Sequence, residues 1–312
     1  AVAAYVGGDI TAGVLSSGIY KQRGLTLFMD IGTNGEMVLG NSDWLASCAC
    51  SAGPAFEGAG AQCGMRATTG AIEDVTINYH TLEPTLRVIG GEAPRGICGS
   101  GMIAALGEML VTGIVDKVGR INTAIQRGDG GGKRRIVSTQ HGPAYVLAWA
   151  SESATGEDIF LTEVDISNII RTKGAIYAGV MVTLRTLGID VKDIETVLIA
   201  GSFGQHINVE KSILIGLMPD LPWDRFRFLG NTAALGAYQI LVSRRARRLV
   251  EKLGNKITYV ELIADNSFMN EFTSSLFLPY TDIEVFPSVK ETLAKASGNS
   301  AQSAITAERG AP

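Results

Sequence analysis

Several short segments of the chain show the apolar pattern of β-strands. Leu25–Asp30 and Glu36–Leu39 predict two adjacent antiparallel strands, and the Asn34-Gly35 pair between them is typical of a hairpin turn. Five further strands are predicted at Val75–Tyr79, Thr85–Ile89, Tyr145–Trp149, Thr196–Ala200 and Phe226–Leu229.

Helical periodicity is present in three other places. Apolar residues recur at helical spacing in Gly99–Leu110, and another helix is predicted from Asn231. The longest helix is predicted to begin at Thr162, because Thr162 and Asp165 fit a capping box ahead of a run with one apolar side. The alternation of strands and helices predicts an α/β fold.

The composition is that of a globular protein. Of the 312 residues, 46% are hydrophobic and 19% are charged, which allows a sizeable core and excludes disorder for most of the chain. The 38 glycines follow no G-X-Y period, which excludes collagen. Arg127–Arg135 is predicted to be a surface loop, and residues 291–312 are predicted to be a disordered tail.

The charge pattern limits the classes of partner. A net charge of -4 gives no electrostatic reason to expect nucleic acid, and the basic run Arg244–Arg248 is interpreted as a solvated helix face. No apolar stretch reaches the roughly 18 residues of a membrane helix, and no signal peptide is recognisable. A cytoplasmic protein is therefore predicted. Because the first residue is not Met, we expect the chain to begin inside a longer protein.

The cysteines are predicted to be structural. With no export signal, Cys48, Cys50, Cys63 and Cys98 are expected to be buried free thiols. Their spacing matches neither a zinc site nor an iron–sulfur cluster, and the three histidines are scattered. A metal site made of Cys or His is therefore not expected.

The strongest candidate for chemistry is the segment between the first two strands. Gly32 and Gly35 would let the backbone turn tightly and approach a ligand, and successive N–H groups of the turn, with Asn34 in it, can bind an anion. Thr33 adds a hydroxyl donor, and Asp30 could hold a water-coordinated Mg²⁺. The segment predicts phosphate binding, with an ordinary Asn-Gly hairpin as the alternative.

Other phosphate-binding patterns are absent from the sequence. Gly128–Lys133 has the wrong spacing for a P-loop. No dinucleotide-binding glycine pattern follows a predicted strand, and no nucleophile-elbow pattern occurs.

Further candidates lie at the ends of helices and strands. Gly99, Ser100 and Gly101 open a helix, so their N–H groups could face a ligand. The segment Gly201–Gly204, which includes Ser202 and Phe203, ends a strand, where flat backbone could lie against an adenine ring. In both segments the alternative is glycine acting only as a cap.

Two charged residues leave alternatives open. Lys173 lies on the apolar side of the long helix, so its amine is expected either to reach the surface or to point into a nucleotide cleft. Glu57, beside Gly58, is expected to be either a cleft residue or a loop cap.

The order of these motifs resembles that of the actin-like ATPases. More specifically, the chain resembles the C-terminal ATPase region of the reductive activators of corrinoid proteins. The segments that carry this resemblance are Tyr5–Ala12, Asp30–Glu36, Ala52–Gly58, Ile97–Gly101, Gly230–Gly236, Phe277–Asp282 and Phe286–Ser288.

The resemblance implies an actin-like, ribonuclease H-like lobe, with a mixed sheet flanked by helices, over residues 1–290. It also implies that ATP and Mg²⁺ support the reduction of Co(II) to Co(I) in a partner corrinoid protein. Asp30–Gly35 would be the second phosphate loop, Ile97–Gly101 would contact ribose or adenine, and Gly201–Gly204 would be the adenosine loop. Asp9 would help to position the attacking water.

Two features of the family are missing from this sequence. It has no first phosphate loop, and it has no cysteine set for the [2Fe–2S] cluster of the family's N-terminal domain. The chain is therefore expected to be one lobe of a longer activator, with weak hydrolysis on its own. The alternatives are a small-molecule kinase of the same superfamily or a non-catalytic partner-binding module. The resemblance is also compatible with a homodimer.

Overall fold

The structure is a computed structural model that describes residues 6–125, 134–201, 207–262 and 266–308. The helices are α1 (Gly8–Ser17), α2 (Gly99–Thr112), α3 (Glu163–Thr186), α4 (Val209–Leu214), α5 (Thr232–Val242), α6 (Arg244–Lys256), α7 (Ser267–Ser274) and α8 (Pro287–Glu308). The strands are β1 (Thr26–Ile31), β2 (Asn34–Gly40), β3 (Leu45–Ser51), β4 (Ala71–Ile77), β5 (Pro84–Val88), β6 (Gly96–Ile97), β7 (Ile136–Thr139), β8 (Gly142–Ala148), β9 (Ile159–Thr162), β10 (Thr196–Ala200), β11 (Phe226–Gly230) and β12 (Ile257–Tyr259). Every strand and helix predicted from the sequence is present.

The central sheet is mixed. Its six strands lie in the order β11-β10-β1-β2-β3-β12. Strands β1, β10 and β11 run parallel to one another, whereas β2 is antiparallel to both β1 and β3. Two smaller sheets, β5-β4-β6 and β7-β8-β9, complete the α/β fold. The predicted mixed sheet flanked by helices is confirmed.

Strand β1 separates two apolar clusters. Leu27, Met29 and Ile31 join the main core, whereas Phe28 joins a second cluster that contains residues of α1 and α6. Successive side chains of a strand point to opposite faces, so Asp30 follows Phe28 onto the face that α1 covers. The alternation along β1 therefore sets the side of the sheet on which the candidate carboxylate lies.

Helix α3 covers the opposite face of the sheet, and its predicted start is confirmed. The amide of Asp165 donates to the Thr162 hydroxyl at 3.2 Å, and the Thr162 amide donates to Asp165 Oδ2 at 2.9 Å. This reciprocal capping box fixes the first turn. Buried Ile166, Ile169 and Ile176 lie on the side of α3 that packs into the core.

The C-terminal segment is helical. A disordered tail was predicted from residue 291, and the residues up to Glu308 belong to α8, so the disorder itself stays a prediction. Alanine, lysine and glutamate, which favour helices, are frequent just after its proline start. Residues 309–312 lie outside the described part of the chain, as do residues 126–133 of the predicted surface loop.

The cysteines and the basic run are located as predicted, with one difference. All four cysteines are free thiols, and Cys63 is half-buried whereas the other three are buried. Burial raises the pKa of the Cys48 thiol to about 11, which keeps it protonated. The arginines of Arg244–Arg248 are exposed at the start of α6. Within the described ranges, no helix is both long and apolar enough to cross a membrane.

Candidate functional site at the strand ends

The carboxyl ends of three parallel strands meet at one edge of the central sheet. Asp30 on β1 pairs with Ala200 on β10, and the amide of Gly201, just after β10, donates to the carbonyl of Gly230 at 3.0 Å. In α/β sheets, the crevice outside such strand ends is the usual place for a ligand. The geometry therefore puts Asp30 and Gly201 at the same candidate site.

Glycine is required at Gly201. Its φ is +97°, and a Cβ there would lie 2.8 Å from the carbonyl oxygen of Ile31 and 3.2 Å from Asp30 Oδ1. Any side chain would clash with the strand that carries Asp30. The rest of the predicted adenosine loop, Ser202, Phe203 and Gly204, lies outside the described residues.

Three carboxylates converge at this edge. Asp30 lies at the end of β1, Glu36 faces it in the β1–β2 register, and Asp9 lies in the first turn of α1. Burial and the charge of Asp9 raise the pKa of Asp30. Burial, followed by the charges of Asp9 and Asp30, raises the pKa of Glu36 to about 7. The structure thus brings Asp9 and Asp30 together, as the resemblance implies, and adds Glu36.

Among the described residues, no basic side chain balances the negative charge of these groups. In the described part of the chain, no ion pair involves Asp9, Asp30 or Glu36. Nor do the described residues contain a group of three side chains close enough to hold a metal alone. The donor set suits Mg²⁺, which proteins often bind through one or two carboxylates while phosphates and water supply the other ligands.

The tip of the β1–β2 hairpin differs from the predicted Asn-Gly turn. Ile31 pairs with Gly35, so the connecting residues are Gly32, Thr33 and Asn34. Neither Gly32 nor Gly35 has a positive φ. Gly35 is instead part of β2, where a Cβ would lie 2.9 Å from Cys50 Sγ. Packing beneath α3, rather than a special backbone conformation, requires glycine at position 35.

A second segment holds the hairpin tip. The Thr33 hydroxyl donates to Glu57 Oε1 at 2.6 Å, and the Gly53 amide donates to the Thr33 carbonyl oxygen at 2.8 Å. Thr33, Asn34 and Glu57 are exposed. Glu57 therefore caps the hairpin, in agreement with the loop-cap alternative, whereas its role as a cleft residue stays a prediction.

The start of α2 is buried. Gly99, Ser100 and Gly101 pack against the small sheet, and the Ser100 hydroxyl lies 3.3 Å from the Cys98 thiol. A Cβ at Gly101 would clash with the carbonyl oxygen of Ile72. Close helix–strand packing therefore explains Gly101. A contact of these three residues with ribose or adenine stays a prediction.

Lys173 corrects both expectations for its amine. The residue is fully buried, and its Nζ donates to the carbonyl oxygens of Phe277 and Pro279 at 2.5 and 2.7 Å. It reaches neither the surface nor a nucleotide cleft, because the segment after α7 encloses it. Burial lowers the pKa of Lys173 well below its ordinary value. No pattern in the residues around Lys173 indicates that distant carbonyl groups are its partners.

Replacing Glu36 with Gln should change the pH dependence of stability. Between the ordinary pKa of 4.5 and the folded-state pKa of about 7, folded Glu36 holds more proton than unfolded Glu36. The free energy of unfolding of the metal-free protein therefore falls as pH rises through this window. The free energy of unfolding of Glu36→Gln minus that of the wild type should therefore be larger at about pH 8 than at about pH 4. Denaturant unfolding at both pH values measures this difference between variant and wild type. A difference that is the same at both pH values would contradict the prediction.

Comparisons with known proteins point to one family. A family model described as the C-terminal domain of RACo, the ASKHA domain, matches residues 24–290. The corrinoid activation enzyme RamQ of Eubacterium limosum is 35% identical over 271 residues, which cover 86% of this chain and 45% of RamQ. The Co(II) methylated amine-specific corrinoid protein reductase of Methanosarcina barkeri is 27% identical over 289 residues, which cover 86% of this chain and 48% of the reductase.

A solved structure is similar over almost the whole chain. It is a reductive activator for corrinoid,iron-sulfur protein, with a TM-score of 0.88 and 48% identity. The match covers 92% of this chain and 45% of that protein. This chain thus spans about half the length of the curated relatives that it matches.

Proposed function

The chain belongs to the family of C-terminal ASKHA domains of RACo, and we propose on this basis that it is the nucleotide-binding part of an ATP-dependent reductive activator. Its substrate would be a corrinoid protein whose inactive Co(II) is reduced to Co(I). The corrinoid-activating relatives support this proposal. The fold agrees, because the activator with a solved structure superposes with a TM-score of 0.88.

The observation that carries the nucleotide part is the unbalanced acidic edge beside the hairpin. Asp30 and Glu36 have raised pKa values and no cationic partner among the described residues, so a bound cation would stabilise both. The exposed residues Thr33 and Asn34 of the hairpin tip follow Asp30 closely in the chain. A magnesium-bound triphosphate supplies both the cation and the anion that such a site needs.

Each residue of the site would have a separate task in hydrolysis. Asp30 would hold Mg²⁺ through water, and the backbone of Gly32–Gly35, with the Thr33 hydroxyl, would hold the phosphates. Asp9, exposed at the start of α1, would orient the water that attacks the γ-phosphorus. When bound, Mg²⁺ neutralises the charge that develops on the phosphate oxygens.

Nucleotide binding would be linked to reduction through a change in how the corrinoid protein is held. A ligand shifts a conformational equilibrium only if it binds one state more tightly. Closure around ATP could supply this difference in affinity. The electron would come from a [2Fe–2S] cluster in the N-terminal part of the longer activator. A homodimer stays a prediction.

Anaerobic spectroscopy of the full-length activator tests the function. Mixed with its Co(II) corrinoid protein, a reductant and Mg–ATP, it should form Co(I) only when all components are present. The corrinoid protein should also stimulate phosphate release. Reduction at the same rate without nucleotide would contradict the proposal, and transfer of phosphate to a small acceptor would favour a kinase.

A further inference from the structure

Glu57 is held rigidly at the end of a short turn. The turn Pro54–Glu57 lies between Gly53 and Gly58, which both have a φ of +85°. Phe56 is buried in the main core, so the neighbouring Glu57 is directed outward. These constraints fix the backbone at Glu57, and the hydrogen bond from Thr33 positions its carboxylate.

The carboxylate lies directly over the hairpin tip. Its Oε1 accepts the Thr33 hydroxyl at 2.6 Å and would lie 3.7 Å from a Cβ placed on Gly32. The backbone bond from Gly53 to Thr33 ties the same turn to the same hairpin. The Thr33 hydroxyl, which the proposed function assigns to a phosphate, thus already donates its hydrogen bond to Glu57.

The position of the turn is also fixed from α3. The Thr172 hydroxyl donates to the carbonyl oxygen of Ala52 at 2.8 Å, in the buried interior. Ala52 immediately precedes Gly53, so α3 supports the segment that carries Glu57. The backbone that carries Glu57 is therefore anchored from α3 as well as from the hairpin.

Glu57 adds negative charge to a site where the carboxyl groups of Asp9, Asp30 and Glu36 already have no basic partner among the described residues. In the described residues it has no ion pair, as is also true of Asp9, Asp30 and Glu36. A metal-free nucleotide carries several negative charges, so these carboxylates would repel it. A magnesium-bound nucleotide carries less net charge, and its metal attracts the carboxylates.

We propose that Glu57 makes this site select the metal-bound nucleotide over the free nucleotide. In the free protein its carboxylate holds the Thr33 hydroxyl and repels phosphate. A nucleotide forms a hydrogen bond with the Thr33 hydroxyl only when its bound metal offsets the repulsion between Glu57 and the phosphates. The inference rests on the proposed nucleotide function and adds a specificity-determining residue to it.

A variant can separate this role from a purely structural cap. Glu57→Gln keeps an oxygen that accepts from Thr33 and removes only the charge. Asp43→Asn is the matched control, because exposed Asp43 lies in the turn after β2, at the opposite end of that strand from the hairpin tip. It changes the net charge equally but is far from the site.

The experiment titrates the wild type and both variants with ADP, once with Mg²⁺ and once with EDTA, at low ionic strength. The quantity compared is the Kd measured with EDTA divided by the Kd measured with Mg²⁺. Glu57→Gln should lower this ratio by about tenfold, as expected for removing one nearby like charge. Asp43→Asn should leave the ratio unchanged.

The outcomes distinguish the two levels of the proposal. Normal wild-type binding with an unchanged ratio in Glu57→Gln overturns the role of Glu57 and leaves the nucleotide function standing. An equal fall of the ratio in Asp43→Asn also overturns it, because only the net charge would then matter. If the wild type binds ADP under neither condition, the nucleotide function itself fails, and the role of Glu57 fails with it.

Discussion

Asp30→Asn should weaken the binding of Mg–ATP by about 10- to 100-fold, because the side chain that is proposed to hold Mg²⁺ through water loses its charge, and losing such a partner of a metal's ligands typically costs this much in metal affinity. The substitution keeps the size of the side chain and removes the carboxylate nearest to Gly201 and opposite Glu36. Titration calorimetry at fixed Mg²⁺ measures the loss.

The same variant should not lose stability. Burial and the charge of Asp9 raise the pKa of Asp30, so its carboxylate is less stable in the folded protein than in water. The free energy of unfolding at neutral pH should therefore rise or stay constant while nucleotide affinity falls. Asp43→Asn provides the control. A variant that binds Mg–ATP like the wild type would remove Asp30 from the site.

Lys173→Met should destabilise the protein by about 2–4 kcal/mol, which is the usual range when buried hydrogen bonds lose one partner. Methionine matches the length of lysine but cannot donate. The carbonyl groups of Phe277 and Pro279 would lose the amine that joins them to α3.

Denaturant unfolding measures this loss, and the exposed Lys192→Met provides the matched control. The control should stay within about 0.5 kcal/mol of the wild type, as is usual for surface substitutions. If Lys173→Met were equally mild, methionine packing alone would suffice in the interior, and the two carbonyl groups would not depend on the amine for stability.

Elements with strong periodicity were predictable from the sequence. Strand β1 and the capping box at Thr162 both follow from neighbouring residues, and the structure has both. Strand β3 was missed, since its alanine, serine and cysteine residues lack the β-branched and aromatic signal of a strand. Its position depends on pairing with β2 and β12 instead.

Asp9 and Asp30 were recognisable as candidates because they lie in short motifs at the ends of elements, and their roles stay predictions. The role of Glu36 was missed, although its place opposite Asp30 follows once the hairpin register is known. Lys173 was assigned to the wrong surroundings, since its partners are more than a hundred residues away in the sequence. Contacts between distant segments decide such cases, and local patterns do not contain them.

Titration calorimetry of the 312-residue wild-type chain with Mg–ATP is the most direct test of the nucleotide site. We expect saturable binding at one site, which Asp30→Asn weakens strongly and Asp43→Asn does not. No measurable heat, or binding that is the same in Asp30→Asn as in the wild type, would contradict a phosphate site at the ends of β1 and β10.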